Sequence, residues 1–180
     1  MFIFLTSGTH DYMERIFNKN HNHGTKLVYM YNMDHALLLQ ESAKKTIFQL
    51  PRKYEILESE HHLPNEGFAA LHYIPVNDDN RERFEYRLKN RGKIIHGADG
   101  FVAIRVLRPI KNDSYIILTC WKNEETFKDY KASNRFALEF GELEKLKEMV
   151  KIDIRAPYFT TYKIGIDKDE DEGNQKNDIP

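Results

Sequence analysis

The order in which strand-like and helix-like segments follow one another in the second half constrains this chain more than any other feature. From Gly67 the run GFAALHYIPV alternates, putting Phe68, Ala70, His72 and Ile74 on one face of a strand and Ala69, Leu71 and Tyr73 on the other. Asn77 or Asp78 can cap a helix running to about Arg91, with acidic residues at its positive end. Phe84 and Leu88, four apart, form its inner stripe. Gly100 opens a long strand, FVAIRVLRPI; the turn residues Lys111-Asn112-Asp113-Ser114 follow, and SYIILTCW returns, which predicts a hairpin. Asn123 is an N-cap with Glu124 and Glu125 in the first turn of a helix carrying Phe127 and Tyr130. Phe136, Phe140, Leu143 and Leu146 continue at spacings of three to four, the core stripe of a further helical segment. After Ala156-Pro157 the residues YFTTYKIGI make a last strand rich in aromatic and β-branched side chains.

This order, β-α-β-β-α-β, is the split βαβ arrangement of an α+β, ferredoxin-like sheet with its helices on one face. The first half carries a weaker copy. Phe2 to Thr6 is a strand, Thr9 caps a short helix with Met13, Ile16 and Phe17, and LVYMYN and ALLLQES form a hairpin around Met33-Asp34. A further strand runs from Tyr54 to Glu60, and Thr46 to Arg52, interrupted by Pro51, stands where a second helix would be. The chain divides accordingly into a degenerate ferredoxin-like half (1–64), a complete domain (65–166) and a tail (167–180). The tail, DKDEDEGNQKNDIP, has no apolar periodicity and is expected to be disordered. Two such sheets in one chain can face each other and close a β-barrel-like core without a second subunit, which predicts a monomer.

Composition narrows the function. A net charge of −1 argues against a nucleic-acid or acidic-membrane binder, which would show a basic excess. The N-terminal apolar run, Phe2 to Leu5, is too short for a signal peptide or a membrane span. Cys120 stands alone, so neither an internal disulfide nor a cysteine zinc site can form. A cytoplasmic location is the expectation.

Among the eight histidines, His21 and His23 lie in a polar loop and His61-His62 in another. Neither pair has a carboxylate or cysteine at zinc-site spacing, so they read as solvated and no metal site is expected. His72 differs: it lies mid-strand among Phe68, Ala70 and Ile74 and faces an apolar interior, either as a satisfied core residue or as part of a cavity wall. The basic cluster Arg81, Arg83, Arg87, Lys89, Arg91 and Lys93 is interleaved with Glu82 and Glu85 and reads as a solvated helix face. The sequence contains no P-loop, dinucleotide fingerprint or G-x-S-x-G elbow.

The stretch GFVAIRVLRPIKNDSYIILTCWKNEETFKDYKAS, a hairpin followed by Trp121, Phe127, Tyr130 and Ser133 at fixed spacing, resembles the antibiotic biosynthesis monooxygenase (ABM) family. Within it, the chain is most similar to the monomeric, two-part haem-degrading monooxygenases of Gram-positive bacteria and to their staphylococcal signalling relative. The resemblance runs from Phe2 to about Ile166 and is most specific in the central block. It implies a ferredoxin-like barrel with a ligand cavity under the sheet. In active members an Asn on the first ABM strand bonds iron-bound oxygen, a Trp presses on the porphyrin and a His ligates iron. Those positions fall on His72, Tyr130 and Phe140 here, and none of the three residue types matches. Trp121 and Phe127 fit the pattern as structural residues.

A benzyl ring at 140 has no lone pair for iron, and Tyr130 keeps an aromatic wall while adding a hydroxyl. The expectation is therefore a protein resembling haem-degrading monooxygenases with altered or lost activity. The alternative is a non-catalytic signalling or stress-response regulator. Phe68, His72, Tyr130 and Phe140 are the candidate pocket. Its expected occupant is haem, as substrate or cofactor, or another apolar small molecule, with no other cofactor and no metal site. A protein partner is the further expectation; nucleic acid and membrane are not.

Overall fold

In a computed structural model, which describes residues 1–21, 26–76, 78–88, 95, 97–111, 114–138, 140 and 158–166, eight strands close into one barrel. The first half contributes β1 (Phe2–Gly8), α1 (His10–Asn20), β2 (Lys26–Tyr31), β3 (Ala36–Ser42) and β4 (Arg52–Glu60). The second contributes β5 (Gly67–Ile74), α2 (Arg81–Leu88), β6 (Phe101–Pro109), β7 (Tyr115–Trp121), α3 (Glu124–Ala132) and β8 (Tyr158–Ile164). Among the described residues the expected strands and helix starts are present. β4 starts two residues earlier than the sequence suggests, and Asp78–Asn80 forms a 3-10 turn ahead of α2. Asn77, Arg91, Leu143, Leu146 and the acidic segment 167–180 lie outside the described residues.

Around the barrel the order is β1-β3-β2-β8-β5-β7-β6-β4, all antiparallel where paired, with β4 returning to β1. Read by halves, this is β4-β1-β3-β2 followed by β8-β5-β7-β6, the same ferredoxin-like order twice. Each half's last strand bonds to the other half's sheet, so barrel closure and assembly of the halves are one event. The two seams differ. β4 and β6 pair from Tyr54–Pro109 to Glu60–Ile104, with a bulge between Ile56 and Glu58. Among the described residues, β2 and β8 pair at Met30–Ile164 and Tyr31–Lys163 alone.

Where that short ladder stops, Asn32 takes over. Its side-chain amide donates to the Thr161 carbonyl, its Oδ1 accepts from the amides of Asp34 and His35, and its carbonyl accepts from His10 Nε2 at 2.8 Å. Its own amide donates to the His35 carbonyl. One Asn thus replaces the missing rungs and fixes the start of α1 to the seam.

Alternation decides which side chains enter the barrel. Ile3, Leu5, Val28, Met30, Leu37, Leu39, Leu71, Leu107 and Leu118 form one cluster inside it, together with Tyr54, Tyr73, Cys120 and Tyr162. The lumen is a packed core. Arg105 points into it and is 2% exposed. Its Nε and Nη2 reach Glu41 Oε2 at 3.2 and 3.1 Å, and Nη1 donates to the carbonyls of Glu60 and Ile104. Since β6 and β3 are separated by β4 and β1, this ion pair crosses the lumen and ties the halves together. Outside the barrel, α1 covers Phe4, Leu27, Tyr29 and Leu38 with Met13, Ile16 and Phe17. No helix among the described residues is long and apolar enough to cross a membrane.

Breaking a buried ion pair from one side strands a charge, whereas removing both partners does not. Glu41→Leu is therefore expected to destabilise the fold by about 3–5 kcal/mol in urea unfolding, and the double variant Glu41→Leu/Arg105→Met to recover most of that loss. Alkaline pH acts on the same core. Burial pushes the Cys120 thiol up to about 12 against a smaller lowering by Arg105, and burial also raises the Tyr162 phenol. The unfolded chain releases these protons first, so above the ordinary thiol range it holds fewer protons than the native state and rising pH favours unfolding. The thermal midpoint should fall as pH rises from about 9 towards 11, less steeply in Cys120→Ala.

Candidate functional site

The face of β5 that carries Phe68, Ala70, His72 and Ile74 turns outwards, away from the lumen, while Ala69, Leu71 and Tyr73 turn in. The apolar interior that His72 faces is thus the layer between sheet and helices. This corrects the expected placing of a ligand cavity under the sheet. Each ferredoxin-like sheet has one face for its helices, and in a closed barrel the other face is consumed by the opposite sheet.

Local sequence explains how the helical side of this layer is held. The Asn123 side chain accepts from the Thr126 amide and starts α3, with Glu124 and Glu125 in its first turn. Gly100, at φ +70°, lies against this turn, where an added Cβ would meet Thr126 at 2.5 Å. At the far end Ser133 Oγ donates to the Tyr130 carbonyl at 2.6 Å and accepts from the Phe136 amide. It closes α3 and opens helical residues 134–138. Ser133 therefore fixes the angle at which Phe136 and Phe140 reach the sheet.

All four candidate residues are buried, and a chain of ring contacts connects them. Phe68 meets Phe127 at 5.6 Å, Phe127 meets Trp121 at 5.8 Å, and Trp121 lies 4.7 Å from Tyr130. Tyr130 meets Phe136 edge-on at 5.7 Å, and Phe136 stacks on Phe140 at 4.8 Å. Phe140 in turn lies 5.6 Å from His72. His72 is 3% exposed and stacks on Phe159, with centroids 4.1 Å apart and planes at 14°. Phe159 is its directly paired neighbour on β8 and also lies under the Lys131 ammonium at 5.1 Å. Each ring pair contributes roughly 0.5–1.5 kcal/mol beyond area burial, so the layer is a strongly cohesive unit.

Phe159 is the site residue that sequence reasoning missed. It lies on the outer face of β8, and the long-range β5–β8 register within the second sheet sets it beside His72. Trp121 is structural, as expected: it is fully buried and its Nε1 donates to Thr119 Oγ1 at 2.9 Å. Behind the layer, the Tyr115 hydroxyl donates to Glu85 Oε1 at 2.5 Å, and Arg108 reaches the same oxygen at 3.4 Å. Burial and this carboxylate raise the Tyr115 phenol above its ordinary range. That network seats α2. Tyr130 also borders a small cavity of about 300 Å³ beside Gly97, Asp129 and Arg135. Among the described residues no cluster of His, Cys, Asp and Glu could hold a metal ion.

Chemically, the layer offers one imidazole among aromatic rings. A metal-ligating porphyrin pocket needs a lone pair at the helix position and an open slot beneath it. Phe140 supplies no lone pair, and among the described residues the rings of Phe159 and Phe140 lie against His72 at 4.1 and 5.6 Å. At the described candidate positions the residues present do not supply the helix-side ligand that haem iron needs.

Comparison with known proteins agrees with the fold and spans both functional readings. Residues 67–138 match the antibiotic biosynthesis monooxygenase family. The signal transduction protein TRAP of Staphylococcus epidermidis is 26% identical over 141 residues, 78% of this chain and 83% of that protein. The heme-degrading monooxygenase of Listeria monocytogenes is 24% identical over 131 residues, 73% and 77% of the two chains. Among solved structures, a major regulator of staphylococcal pathogenesis superposes with a TM-score of 0.79 at 20% identity, covering 93% of this chain and all of that one. Residues 67–138 are thus similar to the antibiotic biosynthesis monooxygenase family, within a single-chain ferredoxin-like barrel.

Proposed function

We propose that this protein is a non-catalytic, regulatory protein of the ABM type that does not cleave haem. The observation that supports it most directly is the ring packing at the three positions where haem chemistry would need Asn, Trp and His. His72 is stacked on Phe159, Tyr130 is packed on Trp121, and Phe140 closes the layer without a ligand atom. The likeness to a staphylococcal signal transduction protein supports the regulatory half of the proposal. The partner such a protein acts through is a second protein or an apolar small molecule.

A second reading rests on His72 itself, together with the likeness to the Listeria heme-degrading monooxygenase. In it, His72 takes over ligation of iron from the sheet side. This reading requires Phe159 and Phe140 to part from the imidazole, at the cost of the stacked contact at 4.1 Å.

Titration of the intact protein with haem, followed by Soret absorbance and then by ascorbate under air, separates the two. The expected result is no saturable Soret shift and no bleaching beyond that of free haem. A stoichiometric shift that disappears in His72→Ala, followed by bleaching and iron release, would overturn the proposal in favour of a rewired haem enzyme.

A further inference from the structure

A second concavity, of about 730 Å³, lies over the short β2–β8 seam, between α1 of the first half and α3 of the second. Its volume is in the range of small-molecule sites. It exists because the ladder stops at Tyr31–Lys163 while the helices on either side cover their own sheets and leave the junction open. It shares Phe68 with the aromatic layer but contains neither His72, Tyr130 nor Phe140.

Its floor is aromatic. The half-buried Tyr31 lies beside the buried Tyr29 on the outer face of β2, with centroids 6.0 Å apart and planes at 40°, and the buried Phe68 lines the groove from β5. Its walls are acidic. Glu14 projects from α1 and Glu124 from α3, on opposite sides of the floor. Glu124 pairs with Lys128 on its own helix at 2.9 Å, whereas no described residue forms an ion pair with Glu14. One cation is present, Lys163, and its ammonium lies 5.9 Å from the centre of the Tyr31 ring. At the end of the groove His10 is committed to the Asn32 carbonyl, and Asn32 to the seam, so that end is fixed in place.

A carboxylate, Glu14, that pairs with no described residue, beside the half-buried Tyr31 ring, is complementary to an organic cation, which gains from both the carboxylate charge and the ring quadrupole. An anion would have to share one surface lysine with both carboxylates. The Lys163–Tyr31 contact shows that this floor already accommodates an ammonium group. We infer that the groove over the β2–β8 seam binds a small organic ammonium compound, an amine on a flat apolar body. The amine lies against Glu14 and the apolar part on Tyr31, with only the rims of Tyr29 and Phe68 beneath it. Because such a ligand touches α1, β2, β5, β8 and α3 together, its binding reports on the junction between the two halves.

Tryptamine, indole-3-ethanol and indole-3-acetate share one ring system and differ in the charge of the side chain. Each is titrated into the intact, ¹⁵N-labelled protein, and amide shifts are followed at residues 29–32 and 161–163. Tryptamine is expected to give saturable shifts there, with at least tenfold weaker binding of indole-3-ethanol and none of indole-3-acetate. Glu14→Gln, checked for an unchanged amide spectrum elsewhere, should weaken tryptamine at least tenfold, whereas Asp79→Asn, at an exposed carboxylate outside the groove, should leave it unchanged. The inference is overturned if tryptamine gives no saturable shift, if the alcohol or the acid binds as well, or if Glu14→Gln binds tryptamine as tightly as the parent protein.

Discussion

Everything in this protein depends on the exchange of edge strands between its two halves. β4 completes the first ferredoxin-like sheet and also bonds to β6 of the second; β8 completes the second and also bonds to β2 of the first. An isolated four-stranded sheet of this kind exposes two edges and one apolar face. Closure removes both liabilities at once, because the faces without helices meet in the lumen. The ion pair from Arg105 to Glu41 crosses that lumen and ties the halves together through a buried charge.

The same closure dictates where a ligand can be met. With the lumen filled by aliphatic and aromatic side chains, the surfaces left for chemistry are on the outside of the barrel, beneath or between the helices. Over the second half that space is occupied by a run of rings from Phe68 to Phe159. His72, Tyr130 and Phe140 belong to that run of rings. A porphyrin site needs a void with a ligand at its rim; on the proposed reading, Phe140 stands where that ligand would be, and His72 is stacked on Phe159. A relative that signals and a relative that degrades haem can share the scaffold because the barrel is indifferent to what lies in the outer layer.

The sequence was most legible where one rule sufficed. Alternation in GFAALHYIPV sorted β5 correctly into two faces, and Asn123 with two following glutamates located the start of α3. The degenerate first half could be read as a weaker copy because its strands kept their order even though Thr46 to Arg52 replaced a helix. Long-range registers were not legible. Whether His72 faced the lumen or the helices depended on which face the second sheet would cover. That Phe159 would be the partner of His72 depended on β8 pairing with β5 from Tyr73–Tyr158 to Gly67–Ile164. The groove over the β2–β8 seam was hidden for the same reason, since its two walls are about 110 residues apart in the chain and meet only through closure.

The most direct test of the central claim is to reverse the exchange of ligand for packing. The triple variant His72→Asn/Tyr130→Trp/Phe140→His, shown by circular dichroism to keep the parent fold, is titrated with haem beside the parent protein. The account predicts stoichiometric haem binding with the spectrum of a histidine-ligated iron in the triple variant and none in the parent. Equal binding by both proteins, or a folded triple variant that binds haem no better than the parent, would contradict it.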